Sequence, residues 1–239
     1  MLNRIRIAIK SFCFCIKYLP FKMAIKRPIQ ISLNCKVHVE KGAKVIINSE
    51  KLVPNMIKIG FNGTKSVSHK TTLLWISQNG MIVFSGGAIF AEGTSIYIKD
   101  NCQMHIGKDF YCNKNCLFRC CDNISFGDKA LLGWNVTLQT TDGHVIEVDR
   151  QAKDNHGPIE IGNHVWIASN SIVSKGVIVG DDCVIAQLSL VNKSFPEKHL
   201  LIAGIPAKII KRNINFCLFL KMLCDIMDNC SVKILVLSR

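Results

Sequence analysis

The sequence lacks the long apolar runs of an integral membrane protein. No stretch of its 239 residues approaches the roughly 18 consecutive apolar residues that a transmembrane helix needs. A secretory signal peptide is not expected either, because Lys17 interrupts the N-terminal apolar stretch and no small-residue cleavage site follows it. We therefore expect a cytoplasmic protein.

Cysteine is abundant, but the spacing of a metal site is missing. None of the 12 cysteines belongs to a pair that is matched by a second pair further along the chain; Cys112 and Cys116, for example, stand alone. Several cysteines occupy positions of a hydrophobic repeat, where a free thiol behaves as a small apolar side chain. We therefore expect reduced, structural cysteines of a cytosolic protein and no bound metal.

Acidic residues are absent from the first 39 positions, which hold eight of the 30 lysines and arginines. Apolar residues recur there every three or four positions and predict one stripe on a helix within 1–28: Leu2, Ile5, Ile9, Phe12, Ile16 and Leu19. A basic amphipathic helix is typical of a segment that lies on an anionic membrane surface. A helix that packs on its own chain or on a neighbouring subunit explains the stripe equally well. Nucleic acid is not an expected partner, because no binding module is recognisable and the rest of the chain is nearly balanced in charge.

A six-residue repeat dominates the rest of the chain. From Ile161 the sequence reads IGNHVW, IASNSI, VSKGVI, VGDDCV and IAQLSL, so an aliphatic residue returns at every sixth position. The same period runs upstream from Phe84 to Leu138, with occasional shifts of two residues. Neither the 3.6-residue period of a helix nor the alternation of an ordinary strand fits it. The repeat predicts a mainly β protein, a parallel β-helix in which the repeated residue points inward.

The repeat breaks off at LQTTDGHVIEVDR, residues 138–150. His144 stands where the next repeated apolar residue is due, and it opens an insertion, residues 143–158, that ends near GPIEIG. A chain that leaves a rigid scaffold at a polar histidine can place that side chain in a groove. His144 is therefore the leading candidate for a catalytic residue.

The domain organisation follows from these patterns. Residues 1–28 are predicted to be the basic helical segment, and 29–207 the β-helix. Residues 208–239 are predicted to form a helix that caps the open end of the β-helix, since their apolar residues return with a helical period.

The series IGNHVWIASNSIVSKGVIVGDDCVIA, followed by AGIPAKIIK, resembles the hexapeptide-repeat acyltransferases. It is most similar to the O-acetyltransferases that modify bacterial capsule, lipopolysaccharide and sialic acid. The resemblance covers roughly 80–212 and, more weakly, 30–80. It implies a left-handed β-helix, a homotrimer with active sites between neighbouring β-helices, and transfer of an acetyl group from acetyl-CoA to a carbohydrate hydroxyl.

The resemblance also implies roles for residues of the presumed site. His144 matches the catalytic histidine of the DGH motif, and a neutral imidazole can accept the proton of an attacking hydroxyl. Asp142, Glu147 or a backbone carbonyl would hold the other ring nitrogen, and we favour Asp142. Trp166 matches a tryptophan that lines the site, so its indole or backbone N–H is a candidate donor to the tetrahedral intermediate.

Coenzyme A is expected to lie along the last coils. Its pantetheine arm would run beside backbone groups around Ala168 and Ala186, two positions at which the family usually has the smaller glycine. The AGIPAK loop contains Pro206, and Lys208 and Lys211 would contact the phosphates unless they form an ordinary solvated turn.

Two other functions fit the same scaffold. A metal hydratase similar to the γ-class carbonic anhydrases would use histidines such as His144, His156 and His164 as ligands. A non-catalytic solenoid would present flat rows of identical outward residues, whereas the outward positions here are irregular. We expect the acetyltransferase.

Overall fold

The computed structural model describes residues 2–68 and 70–217. Within them, two helices, α1 (Leu2–Tyr18) and α2 (Phe21–Ala24), precede strands that form three sides of a prism. The first side contains β1 (Ile29–Ile31), β4 (Ile57–Ile59), β7 (Ala88–Phe90), β10 (Phe110–Cys112), β13 (Leu131–Leu132), β18 (Trp166–Ile167), β21 (Val184–Ile185), β23 (Leu201–Gly204) and β24 (Ala207–Lys211). The second side contains β2 (Cys35–Val39), β5 (Thr72–Ile76), β8 (Ser95–Ile98), β11 (Leu117–Cys120), β14 (Thr137–Gln139), β19 (Ile172–Val173) and β22 (Leu190–Val191). The third side contains β3 (Lys44–Ile47), β6 (Met81–Phe84), β9 (Gln103–Ile106), β12 (Ile124–Phe126), β17 (Ile159–Ile161) and β20 (Ile178–Val179).

Strands of one side are parallel and come from successive coils of the chain. Trp166 pairs with Val184, so one late coil takes three six-residue repeats. Ile89 pairs with Tyr111, so an early coil is longer, and its extra residues are accommodated at the corners. The pairing confirms the parallel β-helix, with coils stacked at the usual strand separation of about 4.8 Å.

The repeated residues fill the interior, as predicted. All six from Ile161 to Val191 are buried, and upstream five phenylalanine rings pack on one another within the early coils. These rings belong to Phe84, Phe90, Phe110, Phe118 and Phe126. Because each coil covers the apolar row of its neighbour, no single coil would be stable alone.

The coils approach most closely at the corner between the third and first sides. A Cβ atom added to Gly107 would lie 2.2 Å from the carbonyl oxygen of Gly127 in the next coil, a distance that no side chain tolerates. The corner between the first and second sides uses asparagines in the left-handed conformation instead. Asn135 and Asn170 stack there, with Nδ2 of Asn135 donating to Oδ1 of Asn170 over 3.0 Å.

Helix α1 packs on β1, but not through the predicted apolar stripe. Ser11, Phe14 and Cys15 face the protein and are buried, whereas the stripe residues Leu2 to Ile16 point outward. Only Leu19 of the stripe is buried. No helix among the described residues is both long and apolar enough to cross a membrane.

The last described segment begins as a strand. Strand β24 pairs antiparallel with β23 and so covers the edge that the final coil would expose. The sequence placed a helix over 208–239; for its first residues this is wrong, because 207–211 extend the first side, with Ala207 buried. Most of the apolar residues behind that prediction, Phe219, Leu220, Leu223, Ile226 and Met227, lie outside the described residues.

The cysteines of the described residues are free thiols, and most are buried. Loss of hydration raises the pKa of Cys35 to about 11 and also raises the pKa of Cys116 and Cys120. These thiols are therefore protonated and act as apolar packing groups.

Candidate active site

The insertion leaves the β-helix at the corner between the second and third sides. It follows β14, forms a hairpin of β15 (Ile146–Val148) and β16 (Gln151–Lys153), and returns to β17. Its base is closed by backbone hydrogen bonds: the N–H of Asp142 donates to the Asn155 carbonyl over 2.9 Å, and that of Gly157 to the Thr140 carbonyl over 3.1 Å. The insertion therefore starts from a fixed base and extends away from the scaffold.

His144 lies just beyond this base and is exposed. Gly143 precedes it in a left-handed conformation, and the Gly143 N–H donates to the Thr141 hydroxyl over 3.0 Å. Within the part of the chain that the structure describes, neither ring nitrogen of His144 has a hydrogen-bond partner. The imidazole is thus available to a ligand or to another chain.

Asp142 does not orient His144 in this structure. Its carboxylate accepts from the ammonium of Lys175, with Nζ and Oδ2 3.0 Å apart. Lys175 lies in the turn between β19 and β20, one coil further on, and its Nζ also donates to the backbone carbonyl of Asp154. One lysine therefore ties both arms of the insertion to the β-helix.

Sequence reasoning missed Lys175. The residue sits in the repeat VSKGVI, where a lysine before a glycine is typical of any solvated turn. Its only distinguishing signal is its place in the coil directly after the insertion. Glu147, the other acidic candidate for orienting His144, is exposed on β15 and forms no hydrogen bond or ion pair with His144 in this structure.

Trp166 faces outward on the first side and is 39% exposed. Its backbone N–H donates to the Cys183 carbonyl over 3.0 Å as part of the β-helix, so of the two expected donors only the indole N–H is free among the described residues. Phe216 approaches its ring to 6.3 Å and stacks on His164 at 4.2 Å. His164 in turn bonds to Asp182 through Nδ1, over 2.8 Å.

Ala168 and Ala186 lie at the corner between the first and second sides. The N–H of each donates to the next coil over 2.8 Å, and the Ala186 carbonyl accepts the hydroxyls of Ser171 and Ser189. These backbone groups already hold the coils together. A pantetheine arm at this corner would therefore find both N–H groups and the Ala186 carbonyl already engaged.

The hairpin of β23 and β24 carries the remaining candidates. Pro206, Lys208 and Lys211 are exposed, and neither lysine forms an ion pair within the described ranges. Arg212 is different, because it pairs with Glu197. Lys208 and Lys211 are thus two cations at the end of the first side for which the described part of the chain supplies no counter-charge.

The predicted residues form two groups that one chain does not bring together. His144 and Asp142 lie at the corner between the second and third sides, whereas Trp166 and Ala168 lie on the first side and at its corner with the second. The second side separates them by about 15 Å, the length of four to five extended residues. His144, His156 and His164 do not converge either, and no group of three or more His, Cys, Asp or Glu residues able to hold a metal occurs in 2–68 and 70–217.

A parallel β-helix of six-residue repeats with a histidine-bearing insertion defines the class of hexapeptide-repeat transferases. The family model "Bacterial transferase hexapeptide (six repeats)" matches residues 158–193. An uncharacterized 24.8 kDa protein in the cps region of Klebsiella pneumoniae is 32% identical over 84% of this chain and 86% of its own length. The chain belongs to the hexapeptide-repeat acyltransferase family.

Other relatives match shorter segments or are more distant. The galactoside O-acetyltransferase of Escherichia coli is 37% identical over 48% of this chain, and the match spans only 57% of that relative's length. The crystal structure of the polySia-specific acetyltransferase NeuO superposes with a TM-score of 0.53 at 22% identity, covering 77% of this chain and 89% of the other. The left-handed parallel β-helix expected from the sequence is the fold of this chain.

Proposed function

We propose that this protein is an acetyl-CoA-dependent O-acetyltransferase that acts on a sugar hydroxyl of a surface polysaccharide or its precursor, with His144 as the general base. The observation that carries the proposal is the position of His144, which is exposed and has no hydrogen-bond partner among residues 2–68 and 70–217, on an insertion that is anchored to a rigid β-helix. Relatives named for a galactoside, for polySia and for a cps region support a carbohydrate acceptor.

The chemistry needs no covalent enzyme intermediate. His144 accepts the proton of the sugar hydroxyl as its oxygen attacks the thioester carbonyl, and a C–O bond forms. The tetrahedral intermediate then collapses, the C–S bond breaks, and the imidazolium returns the proton to the sulfur of coenzyme A. The negative oxygen of the intermediate needs a hydrogen-bond donor, a role that the free indole N–H of Trp166 suits.

The site is completed by a second copy of the chain. His144 lies at one edge of the second side, and Trp166 lies beyond its other edge, on the first side. A homotrimer is the arrangement that would set the insertion of one copy beside the first side of the next. In such a groove, coenzyme A would lie beside Ala168 and Ala186 and the AGIPAK loop with Pro206. Its phosphates would meet Lys208 and Lys211.

Lys175 and Asp142 have a positioning role in this scheme. Their ion pair fixes the start of the insertion. Asp142 therefore positions His144 indirectly, through Lys175 and the backbone. The acceptor for the second ring nitrogen then comes from Glu147, from a backbone carbonyl or from the neighbouring copy. We place the reaction in the cytoplasm, at the inner face of the membrane.

Incubation with acetyl-CoA and a panel of galactosides, sialylated oligomers and sugar nucleotides tests the proposal. Chromatography of free coenzyme A and mass spectrometry of the acceptor should show an increase of one acetyl group on at least one sugar. Light scattering should give the mass of three chains. Hydrolysis of acetyl-CoA at the same rate with and without every sugar would contradict transfer to a carbohydrate.

A further inference from the structure

One face of helix α1 is buried against the rest of the protein. Ser11, Phe14 and Cys15 are buried against β1, and the Ser11 hydroxyl accepts the Ile31 N–H over 2.9 Å. Lys10 adds a second anchor, since its Nζ donates to the carbonyls of Ser32 and Cys35 over 2.8 and 2.6 Å. These contacts fix which side of the helix faces away from the protein.

The outward side of the same helix is apolar. Five large side chains on it are 41% to 70% exposed: Leu2, Ile5, Ile9, Phe12 and Ile16. Phe21 and Ile25, just after the helix, are exposed as well, at 71% and 52%. We call these seven residues the outer stripe. Exposed apolar side chains concentrated on one side of a helix mark a site of interaction.

The segment that carries the outer stripe has basic but no acidic residues. The first 39 residues contain no Asp or Glu, and seven exposed cations lie among them: Arg4, Arg6, Lys17, Lys22, Lys26, Arg27 and Lys36. Within the part of the chain that the structure describes, none of the seven forms an ion pair. Their charge is therefore available to an anionic partner.

We propose that the outer stripe docks on an anionic lipid bilayer, with the apolar side chains inserted at the headgroup boundary and the cations on lipid phosphates. A helix of this composition, lying parallel to the surface, binds through apolar burial and electrostatic attraction together. A second copy of the chain is a poorer occupant, because a symmetric contact would bring these cations face to face without any acid to neutralise them. The inference concerns the helix alone and does not rest on acetyl transfer.

Vesicle co-sedimentation of the full-length protein tests the proposal. Vesicles of phosphatidylglycerol mixed with phosphatidylethanolamine should pellet the protein, and vesicles of phosphatidylcholine should not. Raising the salt concentration should weaken binding, since the anionic surface is then screened. This comparison needs no mutation, so it stands even where a variant is hard to produce.

Two variants assign the binding to the outer stripe. Ile5→Gln with Ile9→Gln should lower the partition coefficient at least tenfold, because two apolar side chains no longer enter the bilayer. Arg6→Gln with Lys17→Gln should lower it about fivefold per cation on anionic vesicles. Ile178→Gln is the matched control: Ile178 is 41% exposed on β20, at the opposite end of the β-helix from the coil that carries α1, and its replacement should leave binding unchanged.

Three results would overturn the proposal. The first is failure of the wild-type protein to pellet with anionic vesicles, and the second is equal binding to phosphatidylcholine. The third is a loss of oligomeric mass in Ile5→Gln with Ile9→Gln while vesicle binding persists, which would identify a second copy as the occupant. Acetyl transfer to a soluble sugar should be the same in all of these variants, so failure here is separable from failure of the proposed activity.

Discussion

Replacing Lys175 by Met should loosen the histidine-bearing insertion without unfolding the protein. The side chains of Lys175 and Asp142 are 24% and 40% exposed, so solvent screening limits their ion pair to about 0.5 kcal/mol. The charged hydrogen bond from Lys175 to the Asp154 carbonyl adds about 1 kcal/mol. A total of about 1 to 2 kcal/mol corresponds to a 5- to 30-fold change in the population of the ordered loop.

The assay is steady-state acetyl transfer beside urea unfolding. Lys175→Met should lower kcat 5- to 30-fold and the free energy of unfolding by no more than about 1 to 2 kcal/mol, and Lys175→Arg should retain most of the activity. Lys198→Met is the matched control, because Lys198 also pairs with an aspartate, Asp181, over 2.7 Å but does not contact the insertion. Asp142→Asn should add little in the Lys175→Met background. A loss above about 100-fold for Asp142→Asn in both backgrounds would refute the reasoning and make Asp142 the direct partner of His144.

Three further outcomes follow from the same structure. Phe118→Ala should lower the free energy of unfolding by about 3 to 5 kcal/mol in a urea titration, because the ring is fully buried among other rings; a loss below 1 kcal/mol would contradict this packing. At pH 8 an alkylating reagent should label exposed Cys13 and spare Cys35, because a pKa of about 11 leaves about one Cys35 thiol in a thousand as thiolate. Equal labelling of the two cysteines in peptide maps would contradict the burial of Cys35. Since unfolding restores the ordinary thiol pKa, the stability that the buried Cys35 thiol contributes is lost only above about pH 9. Lys208→Ala with Lys211→Ala should weaken the binding of coenzyme A at least tenfold by calorimetry and leave the binding of pantetheine, which has no phosphate, unchanged. Equal weakening of the binding of both ligands would contradict a contact between these lysines and the phosphates.

The period of the sequence predicted the scaffold well, because an inward residue at every sixth position has one physical explanation. Ile161, Ile167 and Val173 are buried on the three successive sides of one coil, and the chain departs from the scaffold after β14, which contains Leu138, as the pattern indicates. Periodicity reports burial directly, so the fold followed from it.

The contacts of the site were harder to predict. Lys175 is 33 residues from Asp142 in sequence, and only the stacking of coils brings them together. The same limit applied to helix α1, where the period revealed a stripe but not which side of the helix would be buried. Ser11 and Cys15 face the protein because they fit against β1, and their small size gave no signal in the sequence.

The general base is tested most directly by comparing two histidines of the insertion. His144→Ala should lower kcat for acetyl transfer by about 10²- to 10⁴-fold, with coenzyme A affinity and unfolding unchanged. His156→Ala is the matched control: His156 lies at the base of the same insertion, in a bridge to Thr141 that uses only backbone atoms, and its variant should keep full activity. Wild-type turnover by His144→Ala would contradict the account.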